Sequence, residues 1–158
     1  MNGQYLTILL ESLKKKNNVL DEIIRISKRQ SDVLSQEPID FEEFDRCVDD
    51  KDICIEQLNQ LDEGFESLYQ RVKLELGNNK KQYVVWIKEC QGLIAQITEK
   101  SIEIHTLEAR NKQSVEAAFK RERKGYSHGK RSVEVAKNYY RNMNNTGVIP
   151  PHFMDQKK

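Results

Sequence analysis

Between Asp40 and Leu76 the apolar residues fall at Phe44, Cys47, Cys54, Leu58, Leu61, Phe65, Leu68 and Val72. With Lys51 in the one polar slot, the steps alternate three and four without a slip. That is a heptad seam, and it predicts a long helix packed against other helices. Val48, Ile55, Tyr69 and Leu76 each sit one residue past a seam position and widen the stripe to the face of a helical bundle.

Two further stretches repeat the pattern. Leu6, Leu9, Leu13, Leu20, Ile23 and Leu34 predict a first helix over residues 5–35, interrupted in its stripe by Lys16, Ser27 and Gln30. Pro38 ends it, because the residue before proline is pushed out of the α region. Asp40 followed by Glu43 is a capping box, and Ile39 with Phe44 supplies a hydrophobic staple, so a second helix is expected from residue 40 to 76. Gly77-Asn78-Asn79 is turn chemistry. Tyr83, Ile87, Cys90, Ile94, Ile97 and Ile104 predict a third helix from near Lys80 to Lys124, in which Glu108 and Asn111 take core-type slots. Short connections make neighbours antiparallel. The expected fold is all-α: a bundle of three long helices running up, down and up over residues 1–124. If the second turn centres near residue 78, Gly64 and Gly92 stand level, and a shared close approach or bend is expected of them.

After Gly125 the character changes. Residues 132–143 predict a short helix, with Val133, Ala136, Tyr140 and Met143 on one side and Val135 and Tyr139 on another. Such a helix is marginal in isolation. Pro150-Pro151 keeps the end extended, and Val148, Ile149, Phe153 and Met154 have no apolar partner nearby in sequence. Residues 125–158 thus form a basic and aromatic tail suited to partner binding. Two placements stay open: the helix lies in a partner's groove, or it folds back as a fourth layer of the bundle.

Composition agrees with a bundle whose helices each keep a wet face. Hydrophobic residues make up 37% of the chain and charged residues 32%, with a mean hydropathy of −0.77. The net charge of +1 hides an asymmetry: residues 1–79 carry 10 Lys/Arg against 17 Asp/Glu, and residues 80–158 carry 16 against 8. Cys47, Cys54 and Cys90 fall at seam-like positions and read as buried, reduced thiols of a cytosolic chain. Cys47 and Cys54 lie about 10.5 Å apart along one helix, beyond the roughly 7 Å that a disulfide spans. The short apolar run before Lys14–Lys16 does not make a signal peptide, and no stretch reaches the roughly 20 apolar residues of a membrane span.

No arrangement of residues points to catalysis, so an enzyme is not expected. His105, His128 and His152 lie apart with no Cys or His at ligand spacing, so neither a metal nor another cofactor is expected. The fragment from Gly125 to Ser132 echoes a P-loop, yet Arg131 stands where Ser/Thr would hold magnesium and no strand precedes it. The basic run Lys120, Arg121, Arg123, Lys124, Lys130 and Arg131, with Tyr126 interleaved, has phosphate-gripping chemistry. A charge run of this size reads first as solvated surface, and nucleic acid is not the expected partner.

The leucine-rich first helix, the acidic start of the second, the run from Leu61 to Tyr69 (LDEGFESLY) and the terminal Asn138-Tyr139-Tyr140 and Phe153-Met154-Asp155 together resemble FlgN-type flagellar export chaperones, with FliT-type chaperones as relatives in shape. The resemblance implies a cytosolic binding protein that holds hook-associated proteins of the hook–filament junction, keeps them from assembling early and delivers them to the type III export gate. It implies client binding in the C-terminal region, through Val133, Val135, Ala136, Tyr139, Tyr140, Met143, Val148, Ile149, Phe153 and Met154. It also implies gate docking by a tyrosine, for which Tyr126, Tyr139 and Tyr140 are candidates. The alternatives are a coiled-coil adaptor that oligomerises through the seam, a homodimer included, and a FliT-like chaperone of the filament cap protein.

Overall fold

A computed structural model describes residues 3–121 and 127–144, with side chains over 3–121 and 134–143. Its regular structure is helical: α1 (Gln4–Leu34), α2 (Phe41–Asp62), α3 (Phe65–Leu76), a 3-10 turn (Lys80–Tyr83), α4 (Val84–Arg121) and α5 (Ser127–Asn144). Among the described residues there is no strand.

α1 is the central element. It packs along α4 on one side and along α2 and then α3 on the other, while α5 lies on α2. Cross-links fix the directions. The amides of Tyr5 and Leu6 donate to the Glu75 carboxylate, Lys16 pairs with Asp62, and Arg29 pairs with Asp50, so α1 runs against α2 and α3. Lys14 meets Glu89, Asn17 meets Gln96 and Asp21 meets Lys100, so α1 and α4 run the same way.

The start of α2 is built as its sequence suggests. The Asp40 carboxylate accepts from the Glu43 amide at 3.1 Å, and Ile39 and Phe44 are both buried. Glu43 does not complete the reciprocal bond of a capping box. Its carboxylate is engaged by Arg29 of α1 at 3.1 Å and by Arg46 at 2.7 Å, which ties the helix start to its neighbour.

The expected continuous helix from residue 40 to 76 is two helices. Gly64 takes φ 77°, ψ 0°, a left-handed conformation that ends α2, and its carbonyl accepts from Leu68 to begin α3. Glycine reaches that region without the steric penalty of a Cβ, which is why the break falls there. The seam thins at the same place: Phe44, Cys47, Cys54, Leu58 and Val72 are buried, whereas Leu61, Phe65 and Leu68 are only half-buried. The expected approach of Gly64 to Gly92 is absent, since a Cβ built on either meets no atom within 4 Å. α1 stands between much of α2 and α4, and keeps those two backbones apart.

α5 also differs from expectation, beginning at Ser127 instead of Ser132. Its first turn, Ser127-His128-Gly129-Lys130, carries no apolar residue, so periodicity gave no signal there. Ala136, Tyr139 and Met143 join the same continuous core as α1, α2 and α4. The three cysteines are free and buried within that core.

Candidate functional site

The face of α5 that meets the bundle is Ala136, Tyr139 and Met143, spaced three and four residues apart as one stripe of a helix. Val135 and Tyr140 are half-buried beside it, and Glu134, Lys137, Asn138, Arg141 and Asn142 face outward. Of the two placements left open by the sequence, fold-back is the state seen.

What lies beneath this stripe is polar. The Lys51 ammonium donates to both carboxylate oxygens of Glu108 at 2.8 Å, and lies 3.4 Å from the Ser27 hydroxyl. The Tyr139 hydroxyl donates to the same carboxylate, and the Lys51 ammonium sits 4.4 Å from the centre of the Tyr139 ring. Asn111 donates to the Ser27 carbonyl at 2.9 Å. The cluster therefore joins α1, α2, α4 and α5 at one level, and its members are almost wholly removed from water. Near it, the Tyr140 hydroxyl and both polar atoms of the Gln30 side chain are buried without a hydrogen-bond partner of good geometry.

Burial sets the electrostatics. It pushes the Lys51 ammonium's pKa down, against the opposing pull of the Glu108 charge and hydrogen bonds. It pushes the Tyr139 phenol well above its ordinary value, and the adjacent Glu108 carboxylate adds to the shift. Tyr140 is raised too, again chiefly by burial. Both phenols are therefore neutral at ordinary pH, and Tyr139 is the one that donates to Glu108. An ion pair this deep is held by its hydrogen bonds: Glu108 accepts from Lys51 and Tyr139, and loss of either leaves charge unsatisfied.

Ser27, Gln30, Lys51, Glu108 and Asn111 are among the residues that interrupt the seams of three helices. Each helix by itself shows only a defect. The usable signal was their common register, since residues 27, 51 and 108 come level once the helices are folded against one another.

Of the other candidates, residues Tyr126, Val148, Ile149, Phe153 and Met154 lie outside the described residues, as do Arg123 and Lys124 and the side chains of Lys130, Arg131 and Val133. The remaining basic residues of that run, Lys120 and Arg121, are exposed. At the same end of the bundle Phe119 stacks on Phe41 and meets Phe44 edge-on, with ring centres 6.0 and 5.9 Å apart.

Fold and site together define an all-helical protein that keeps an amphipathic C-terminal helix seated over a buried ionic cluster. The sequence model of the family described as FlgN protein matches residues 1–145, which contain the whole described structure, α5 included. The chain belongs to the FlgN family, whose members are flagellar export chaperones that bind flagellar proteins and are not enzymes. Comparison with curated proteins and with solved structures gives no match.

Proposed function

We propose that this chain is a cytosolic chaperone for hook-associated proteins of the hook–filament junction, which it keeps from early assembly and hands to the type III export gate. The client is taken up by α5 and the residues that follow it. The observation that carries this reading is the family match across residues 1–145, because it includes α5 as well as the bundle.

The docked state of α5 supports a role for exchange. Its apolar stripe is short, and the surface beneath it is interrupted by Lys51 and Glu108, so α5 is held less firmly than an all-apolar seam of equal length would hold it. A client helix with a complementary face takes up α5 when it lifts. Tyr139 and Tyr140 reach the export gate only in that lifted state, since Tyr139 is fully buried and the Tyr140 hydroxyl is enclosed while α5 is docked. Tying capture to the loss of a folded contact lowers affinity, which suits a carrier that must release its cargo.

The test is co-expression of the whole chain with the two junction proteins from the same genome, followed by sizing with light scattering. A one-to-one complex is expected, and Tyr139→Ala with Tyr140→Ala should abolish it while the chain keeps its helical circular dichroism. Failure of the unaltered chain to retain either protein would overturn the reading.

A further inference from the structure

Seven large hydrophobic residues are exposed among the described residues, and five of them gather at one end of the bundle: Ile8, Leu74, Val84, Val85 and Trp86. This end is closed by the turn between α3 and α4 and by the start of α1. Leu74 and Val85 are almost bare, at 80% and 72% exposure, and Trp86 is 38% exposed. The Trp86 and Tyr83 rings pack over Gly3, where a Cβ would come within 2.7 Å of one ring and 2.9 Å of the other. The apolar end is thus braced against the first turn of α1.

The same end is basic. From residue 71 to 88 the chain carries Arg71, Lys73, Lys80, Lys81 and Lys88, all exposed, against the single carboxylate of Glu75. That carboxylate is turned inward and occupied by the amides of Tyr5 and Leu6. Glu89, just beyond, is paired with Lys14 at 3.3 Å. Exposed apolar side chains and exposed lysines at the same end of the bundle match the interface of an anionic bilayer, where valine, leucine and tryptophan enter the acyl boundary and lysines meet the headgroups.

We propose that this end of the bundle is a peripheral docking site for anionic phospholipid. It lies some 24 residues along α4 from Glu108, about 36 Å at the helical rise, so it leaves α5 free to act at the other end. The proposal stands apart from the client reading and fails separately from it.

Trp86 is the chain's one tryptophan, so its emission reports directly on this surface. Vesicles of phosphatidylcholine with phosphatidylglycerol are expected to shift that emission to the blue and to pellet the whole chain at low salt, and vesicles of phosphatidylcholine alone to do neither. Val85→Asp, and separately Lys80→Glu with Lys81→Glu, should abolish both effects without changing the melting transition or the capture of junction proteins. Equal binding to neutral vesicles, no binding to anionic ones, or undiminished binding by these variants would overturn the proposal. So would a Trp86 shift with polyglutamate but not with anionic vesicles, which would assign the surface to an acidic protein.

Discussion

The Lys51 ammonium reaches both oxygens of the Glu108 carboxylate at 2.8 Å, across 57 residues of sequence, and neither side chain is more than 2% exposed. Periodicity had marked each of them as a polar residue in an apolar slot. Together they are the ion pair on which α5 rests.

Removing one partner should therefore cost far more than removing both. Lys51→Ala leaves the Glu108 carboxylate buried with the Tyr139 hydroxyl alone, and is expected to lower stability by about 3–5 kcal/mol. The triple variant Lys51→Met, Glu108→Leu and Tyr139→Phe replaces the cluster by apolar groups and should recover most of that loss. Urea denaturation of both variants beside the parent measures the difference. A triple variant no more stable than Lys51→Ala would show that the charges hold the fold together.

Tyr139→Phe isolates the contribution of α5. It keeps the ring over Lys51 but removes a hydrogen bond to a buried carboxylate, for an expected cost of about 1–3 kcal/mol. The loss should be local. Hydrogen exchange is expected to quicken in the amides of α5 while those of α1 near Leu20 and Ile23 keep their protection. Equal loss in both places would mean that α5 and the bundle open as one unit.

Residues 61 and 58 test where the seam is real. The heptad pattern gives Leu61 the same weight as Leu58, and by that pattern Leu61→Asp should unfold the bundle. In the structure Leu58 is fully buried, whereas Leu61 is half-buried in the last turn of α2. Leu58→Asp is therefore the variant expected to abolish the cooperative melting transition, since it places an unpaired carboxylate in the core. Leu61→Asp should stay folded with a lowered midpoint.

The contrast shows how far the pattern reaches. Spacing along one helix identified α1, the start of α2, the core cysteines and the seam of α4, because burial of a stripe leaves a periodic trace in the helix that carries it. It did not see the break at Gly64, because two residues out of helix leave the apolar spacing on either side intact. Nor did it join Ser27, Lys51, Glu108 and Tyr139, since a polar cluster shared by four helices leaves at most one or two irregular positions in each. The apolar tip at Leu74 and Val85 was hidden for a related reason. Those residues belong to no stripe, and only the fold shows that they share an end of the bundle.

The two glycines carry opposite expectations. Gly64 has φ 77°, so Gly64→Ala forces a Cβ into the left-handed region and should cost about 1–2 kcal/mol, although the space around it is open. Gly92 lies inside α4 with nothing within 4 Å of a built Cβ. Gly92→Ala should accordingly stabilise the chain by up to about 1 kcal/mol through helix propensity. Thermal melts of the two variants would settle it, and a stabilised Gly64→Ala would mean that α2 and α3 join into one helix in solution.

Alkaline pH should loosen the fold through the buried thiols. Burial raises Cys54 and Cys90 from about 9.0 to about 11, so both stay protonated in the folded chain after they have ionised in the unfolded one. Their contribution is intact below pH 9, falls as pH climbs from about 9 to about 11, and changes no further above that. Tyr139 and Tyr140 push the same way at higher pH, whereas Lys51, whose folded pKa is lowered, contributes in the opposite sense below its ordinary value of 10.5. The thiol part is separated by comparison. Melting midpoints of the parent should drop more steeply between pH 9 and 11 than those of Cys54→Ala with Cys90→Ala, even though the variant is less stable at neutral pH. Parallel slopes would mean that the two thiols reach water in the folded chain, which their burial at 4% exposure each argues against.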